Sequence, residues 1–279
     1  MWRDYWMGRE GQRRGAGELL ISSPIAGVVP PRPVTVYLPA GYRDGRDRYP
    51  LILLQDGQNL FDEAASFAGS WHAERTLDAL ASSGAPVIAV GVPNAGTHRI
   101  HEYAPVRDKR YGGGGGEKYG CYLVESVLPA VEKSFRVRHD REAIGVAGAS
   151  MGGLISLHMF HAWPERFGRV GAMSPSLFFG REALTRWIAR RPFAGGRIYL
   201  DIGTLEGRRR RRLRSLPRFP SGAMRRLRKL RRVLEKKGYE RGVDLAWIEE
   251  PGGRHDEAAW ARRLPGMLRF LFADEPPAD

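Results

Sequence analysis

Apolar residues recur along this chain in short unbroken runs, and each run ends in polar or small residues. The runs lie in "YPLILLQDGQN" (49–59), "APVIAVGVPNAG" (85–96), "EAIGVAGAS" (142–150), "GRIYLDIGTLEG" (196–207) and "VDLAWIEEPGG" (243–253). Such runs without polar alternation predict strands buried on both faces, as in a parallel sheet. "PVTVYLPAGY" (33–42) reads as an edge-type strand running into a Pro/Gly loop. Between the runs the apolar spacing turns helical, at about 71–83, 115–135, 152–163, 181–190, 223–237 and 256–272. Strands alternating with helices predict an α/β fold, with a mostly parallel central sheet flanked by helices on both faces.

Ligands of such sheets sit beyond the carboxyl ends of the strands. The positions to inspect are therefore Asp56 to Asn59, Asn94, Ser150, Glu206 and His255. The length of 279 residues suits a single domain, with "GGGGG" (112–116) as a local loop. No run approaches the length of a membrane span, and "MWRDYWMGREGQRRG" lacks the apolar core of a signal peptide. Cys121 is the only cysteine, so an internal disulfide is excluded and a reducing cytoplasm is the expected location. Cys121 lies in an amphipathic helical pattern and is expected only to pack.

Gly148-Ala149-Ser150-Met151-Gly152 matches G-x-S-x-G, between a predicted buried strand and a predicted helix. A serine on a sharp strand-to-helix turn has strained backbone angles, and side chains two positions away would collide, so glycines flank it. The turn would expose the hydroxyl and aim the N–H of Met151 at a forming oxyanion. A serine nucleophile needs a base. His72, His98, His101 and His139 precede it in the chain, and His158 and His161 lie on the helix leaving the turn. His255, in the loop "EEPGGRHDEAAW", remains. An acid to orient it is expected between the two. Glu206, just past a Gly-Thr turn, is the first choice; Asp201, inside the strand pattern, and Asp256 are the alternatives. The loop "QDGQNLFD" (55–62) is expected to give the second oxyanion donor, from the N–H of Gln58 or Gly57. Asn59 and Trp71 are expected on the substrate-facing wall, Asn59 with Asp62 also shaping the loop. Arg99 and Glu102 read as an ion pair at the rim. The histidines near 72 and 98–101 lack metal-ligand spacing, so no metal is expected.

The segments "VYLPAGY", "LQDGQNLFD", "HEYAPVRD", "GASMGGL", "MSPSLF", "LDIGTLEG" and "GGRHDEAAWARRLP" occur in the order seen in the enterochelin-esterase and esterase D-like group of α/β-hydrolases. The chain resembles this group, which is similar to feruloyl and siderophore esterases, over about residues 33–272. The resemblance implies a single-domain serine esterase without a metal or other cofactor. It places the nucleophile at Ser150, the base at His255 and the acid at Glu206. The expected substrate is a small-molecule ester of aromatic, siderophore or carbohydrate type. Acyl transfer with the same triad is the alternative reaction.

Charge alters this picture in one place. Residues 207–237 hold 15 Lys+Arg and one Glu, so the chain's 45 basic and 31 acidic residues are otherwise balanced, and this segment carries the whole net +14. Met224, Leu227, Leu230, Val233 and Leu234 have helical spacing with Gly238 as a stop, while 208–222 reads as an exposed basic loop. A loop so charged directly after Glu206 is a departure from the family pattern, able to displace the acid or form a lid. A solvated basic face is the plainest reading of the segment, ahead of attraction of an anionic ester or surface. Nucleic-acid binding lacks any base-reading motif. A non-catalytic scaffold that binds polyanions is the alternative from outside enzymology.

Overall fold

The computed structural model describes residues 1–5, 15–207 and 221–273. Eleven strands are β1 (Trp2–Asp4), β2 (Glu18–Ser22), β3 (Thr35–Leu38), β4 (Leu51–Gln55), β5 (Ile88–Val92), β6 (Arg107–Asp108), β7 (Gly112–Gly113), β8 (Ile144–Ala149), β9 (Arg169–Met173), β10 (Arg197–Gly203) and β11 (Leu245–Glu250). The helices are α1 (Ala73–Ser82), α2 (Arg99–Tyr103), α3 (Gly116–Tyr122), α4 (Leu128–Ser134), α5 (Met151–Ala162), α6 (Ala183–Arg190), α7 (Gly222–Lys237) and α8 (Glu257–Phe272). A π turn over Leu123–Val127 joins α3 to α4 just before Pro129, which has no N–H to return to the Glu125 carbonyl.

Nine strands form one sheet in the order β1-β2-β3-β5-β4-β8-β9-β10-β11. From β5 to β11 all neighbours are parallel, whereas β1, β2 and β3 join antiparallel. Period-two geometry splits each central strand between two cores. Leu51 and Leu53 of β4 face one core, with α3 to α7, and Ile52 and Leu54 face the other, with α1 and α8. Both faces are therefore covered, which is why these strands read as unbroken apolar runs.

The chain leaves β4 toward β5 on one side and returns to β8 on the other. The loops after β4 and β8 thus diverge and open a crevice at the carboxyl end of the sheet. The structure differs from the sequence reading at the margins. Segment 33–42 holds β3, which is interior, because β2 covers its outer edge. Strands β1, β2, β6, β7 and β9 lie outside the runs read from the sequence; β6 and β7 are two residues each, with β7 inside the glycine segment read as a loop, and β9 is five residues with Gly171 at its centre. The last strand, β11, is an edge and only half-buried, with Ile248 exposed. The basic loop expected at 208–222 falls largely outside the described residues; its end, Ser221–Gly222, is the N-cap and first residue of α7.

Candidate active site

The site begins where β8 ends. Ser150 adopts φ 57° and ψ −117° between β8 and α5, a conformation that a non-glycine residue enters only under strain. The flanking glycines are needed for a more particular reason than avoidance of the serine itself. A Cβ on Gly148 would lie 2.8 Å from both the Gln55 Cβ and the Gly152 carbonyl carbon, and one on Gly152 would lie 3.0 Å from the Gln55 Cβ. The turn is pressed against the end of β4. Gln55 is anchored in place by the Tyr119 hydroxyl, which donates to its Oε1 at 2.5 Å.

The Ser150 hydroxyl lies 2.9 Å from His255 Nε2, and His255 Nδ1 lies 2.7 Å from Glu206 Oε2. Three strand-end loops, after β8, β10 and β11, bring these groups together. A proton on Nδ1 is required by the carboxylate facing it, which leaves Nε2 to accept from the serine hydroxyl. The ring of His255 is held edge-on against Trp260 of α8, centroids 5.0 Å apart. Glu206 is buried, and its other oxygen accepts from the Ser174 hydroxyl at 2.6 Å and the Gly203 N–H at 2.8 Å. The two alternative acids are engaged elsewhere. Asp201 is wholly buried and pairs with Arg263 at 2.7 Å, and burial pushes its carboxyl up to about 7. Asp256 is the N-cap of α8, accepting from the Ala259 N–H at 2.9 Å. The basic segment has not displaced Glu206.

Met151 opens α5, so its N–H has no intrahelical acceptor. Gln58 lies on the wall of the cavity above Ser150, its side-chain oxygen accepting from the Asn94 N–H. Gly57 is not on that wall; it is packed against β5, where a Cβ would come within 2.4 Å of the Gly91 carbonyl carbon. Asn59 holds the loop: its oxygen accepts from the Ser66 hydroxyl and the Phe67 N–H, and its amide donates to Glu257. Trp71 is both core and wall, buried beside Trp260 and lining the cavity. The cavity measures about 750 Å³, and its apolar wall includes Phe67, Trp71 and Trp260.

The polar wall corrects one expectation. Arg99 does not pair with Glu102. It grips Asp56 through two hydrogen bonds, of 2.7 and 2.8 Å, while Glu102 is held by Arg32 at 2.6 and 2.7 Å. Asp56, itself at φ 57°, turns its carboxylate back toward the cavity, where Asn94 also donates to it. Glu257 completes this wall, and burial raises its carboxyl above the usual range. Among the described residues no cation of α7 lines the cavity. His158 and His161 are buried on α5 away from the hydroxyl, and burial pushes the latter down to about 3.

Sequence reasoning missed Ser174, Ser176, Trp260 and Arg263 as parts of the site, and it singled out Asp56 by its strand-end position without the Arg99 partner. For Arg263 a signal was present: it falls on the apolar face of α8, between Trp260 and Met267. A charge on a buried face needs a partner of opposite sign.

A fold of this kind, with a strained serine at the first turn of the central helix and an imidazole within hydrogen-bond reach, defines a serine hydrolase of the α/β-hydrolase class. The family model described as "Putative esterase" matches residues 29–271, and the chain belongs to that family. It is 26% identical over 247 residues to the uncharacterized protein YbbA of Bacillus subtilis, covering 86% of this chain and 92% of that one. It is 30% identical over 175 residues to the iron(III) salmochelin esterase of Escherichia coli, covering 56% of this chain and only 39% of that one. The IroE-like serine hydrolase of Shewanella oneidensis shares the fold, with a TM-score of 0.69 and 20% identity over 92% of this chain and 81% of that one. The chain is a serine-type carboxylic-ester hydrolase. No described helix is long and apolar enough to cross a membrane.

Proposed function

We propose that the chain hydrolyses carboxylic esters through an acyl-enzyme on Ser150, with His255 as general base and acid and Glu206 as its orienting acid. The observation that carries this reading is the unbroken line of contacts from the Ser150 hydroxyl through both ring nitrogens of His255 to Glu206. Ser150 attacks the ester carbonyl and passes its proton to Nε2. The N–H groups of Met151 and Gln58 receive the oxyanion, helped by the positive end of α5. His255 returns the proton to the departing alcohol, and water repeats the sequence on the acyl-serine. Glu206 fixes the ring tautomer and faces the imidazolium as it forms.

Phe67, Trp71 and Trp260 suit an aromatic ester, in keeping with the salmochelin substrate named for one relative. The Asp56–Arg99 pair is internally neutralised, so the cavity wall itself does not demand an anionic ligand. Any preference for acidic esters would act through the field of α7 on encounter. Covalent labelling with a fluorophosphonate followed by peptide mapping tests the reading. The adduct is expected on the peptide containing Ser150 and should be lost in Ser150→Ala and His255→Ala; a folded wild type that takes no label would overturn it.

A further inference from the structure

The nucleophile has a second neighbour that the reaction as described leaves unused. Ser176 lies in the turn after β9 and is buried, its Oγ 3.1 Å from the Ser150 Oγ. Its position is set by backbone rather than by chance rotation. The Ser176 N–H donates to the Ser150 carbonyl at 3.0 Å, and Ser174, at φ 47°, turns the chain just ahead of Pro175. The turn also packs on the first turn of α5, where a Cβ on Gly153 would touch the Pro175 Cα at 3.4 Å.

The direction of the hydroxyl–hydroxyl bond follows from counting protons. Glu206 faces Nδ1 of His255, so Nδ1 carries the proton and Nε2 accepts. Ser150 has one proton, and it points at Nε2. The proton between the two serines therefore belongs to Ser176. Among the described residues, no other group bonds the Ser176 hydroxyl.

We propose that Ser176 is a catalytic residue, a fixed O–H donor to the Ser150 oxygen that assists its departure when the acyl-enzyme is hydrolysed. The proposal rests on Ser150 being the nucleophile. In deacylation water adds to the acyl carbon and gives a proton to Nε2. The tetrahedral intermediate then collapses, the bond from carbon to Ser150 Oγ breaks, and Oγ takes the proton from Nε2. The Ser176 proton does not transfer; its hydrogen bond strengthens as charge gathers on Oγ. In acylation by an activated ester the same oxygen is the attacking group, and a donor to it gives no comparable help. The effect therefore separates the two half-reactions.

The experiment is rapid-quench mass spectrometry of the acetyl-enzyme formed from p-nitrophenyl acetate, on wild type, Ser176→Ala and Ser176→Thr. Loss of one hydrogen bond to a charged oxygen is expected to slow deacylation roughly tenfold in Ser176→Ala. Acetyl-enzyme on Ser150 should accumulate, and kcat and KM should fall together, leaving kcat/KM within about twofold, as expected when only the second step slows. Ser176→Thr keeps the hydroxyl and should recover most of the lost rate. Ser176→Gly serves in place of Ser176→Ala if that variant does not fold. Unchanged decay of the acetyl-enzyme in a folded variant overturns the role of Ser176 while leaving Ser150 as nucleophile. A parallel fall in kcat/KM without accumulation would also overturn it, since that is the mark of a distorted turn. Absence of any wild-type adduct on Ser150 removes the nucleophile reading and this proposal with it.

Discussion

Arg263 lies among the carboxylates of Asp201, Glu206 and Glu250, and replacing it with Met tests whether the surroundings of Glu206 are held by charge. Its Nη1 meets Asp201 at 2.7 Å, its Nη2 lies 3.6 Å from Glu206, and its Nε lies 3.4 Å from Glu250. Nη2 also donates to the Ser174 hydroxyl at 3.1 Å, the same hydroxyl that donates to Glu206. Arg263, Asp201 and Glu206 are all buried. Methionine fills much of the stem volume but leaves Asp201 without its close cation, while Glu250 keeps Arg262 at 3.1 Å and Glu206 keeps His255 at 2.7 Å. Breaking a buried pair in this way costs about 3–5 kcal/mol. The loss should depend on pH in a defined direction. With Arg263 present the Asp201 carboxyl already sits at about 7, raised by burial above its unfolded value. A carboxyl raised on folding binds more protons in the native state, so its ionisation erodes stability as pH climbs from the unfolded pKa to the folded one and no further. Removing the guanidinium raises the folded pKa again and extends that erosion above pH 7. The stability gap between wild type and Arg263→Met, from urea unfolding, should therefore widen from pH 7 to pH 9, by at most about 1.4 kcal/mol per pH unit for each carboxyl affected. A gap that stays flat across this range, or that is below about 1 kcal/mol at pH 8, would refute the charge argument.

Glu206→Gln removes the charge that faces the imidazolium and permits the wrong tautomer, and should lower kcat about 10³- to 10⁴-fold while fluorophosphonate labelling slows in step; a loss under tenfold would mean that the acid is dispensable. Gly148→Ala places a methyl 2.8 Å from the Gln55 Cβ, and is expected to cost about 1–3 kcal/mol in urea unfolding and to displace the serine, so that labelling falls as well. If the field of α7 steers acidic esters, kcat/KM for an acidic ester should fall with rising salt while that of a neutral ester of equal size holds constant. Equal salt response of the two would show that the basic helix plays no part in encounter.

Much of this architecture was legible in the chain, for reasons that are local. A strand covered on both faces must be apolar at every position, so β4, β5, β8 and β10 announce themselves as unbroken runs. The turn at Ser150 needs small residues on either side, and Ser150, Glu206 and His255, which the fold brings into contact, follow one another in that order along the chain. Glu206 lay just past a strand, where a loop can begin. What the sequence could not settle was set by partners distant along the chain. Whether 33–42 is an edge depends on β2, which covers it by hydrogen bonds between backbones and leaves no mark in the side chains of β3. Whether Arg99 meets Glu102 or Asp56 depends on how α2 packs over the loop after β4. The choice between Glu206 and Asp201 turns on Arg263, 57 or more residues downstream, which engages Asp201 and leaves Glu206 free to face the histidine. Periodicity and turn chemistry are properties of neighbouring residues and can be read in order. The pairing of buried charges, and the second hydroxyl beside Ser150, exist only once helices and strand ends from separate parts of the chain converge.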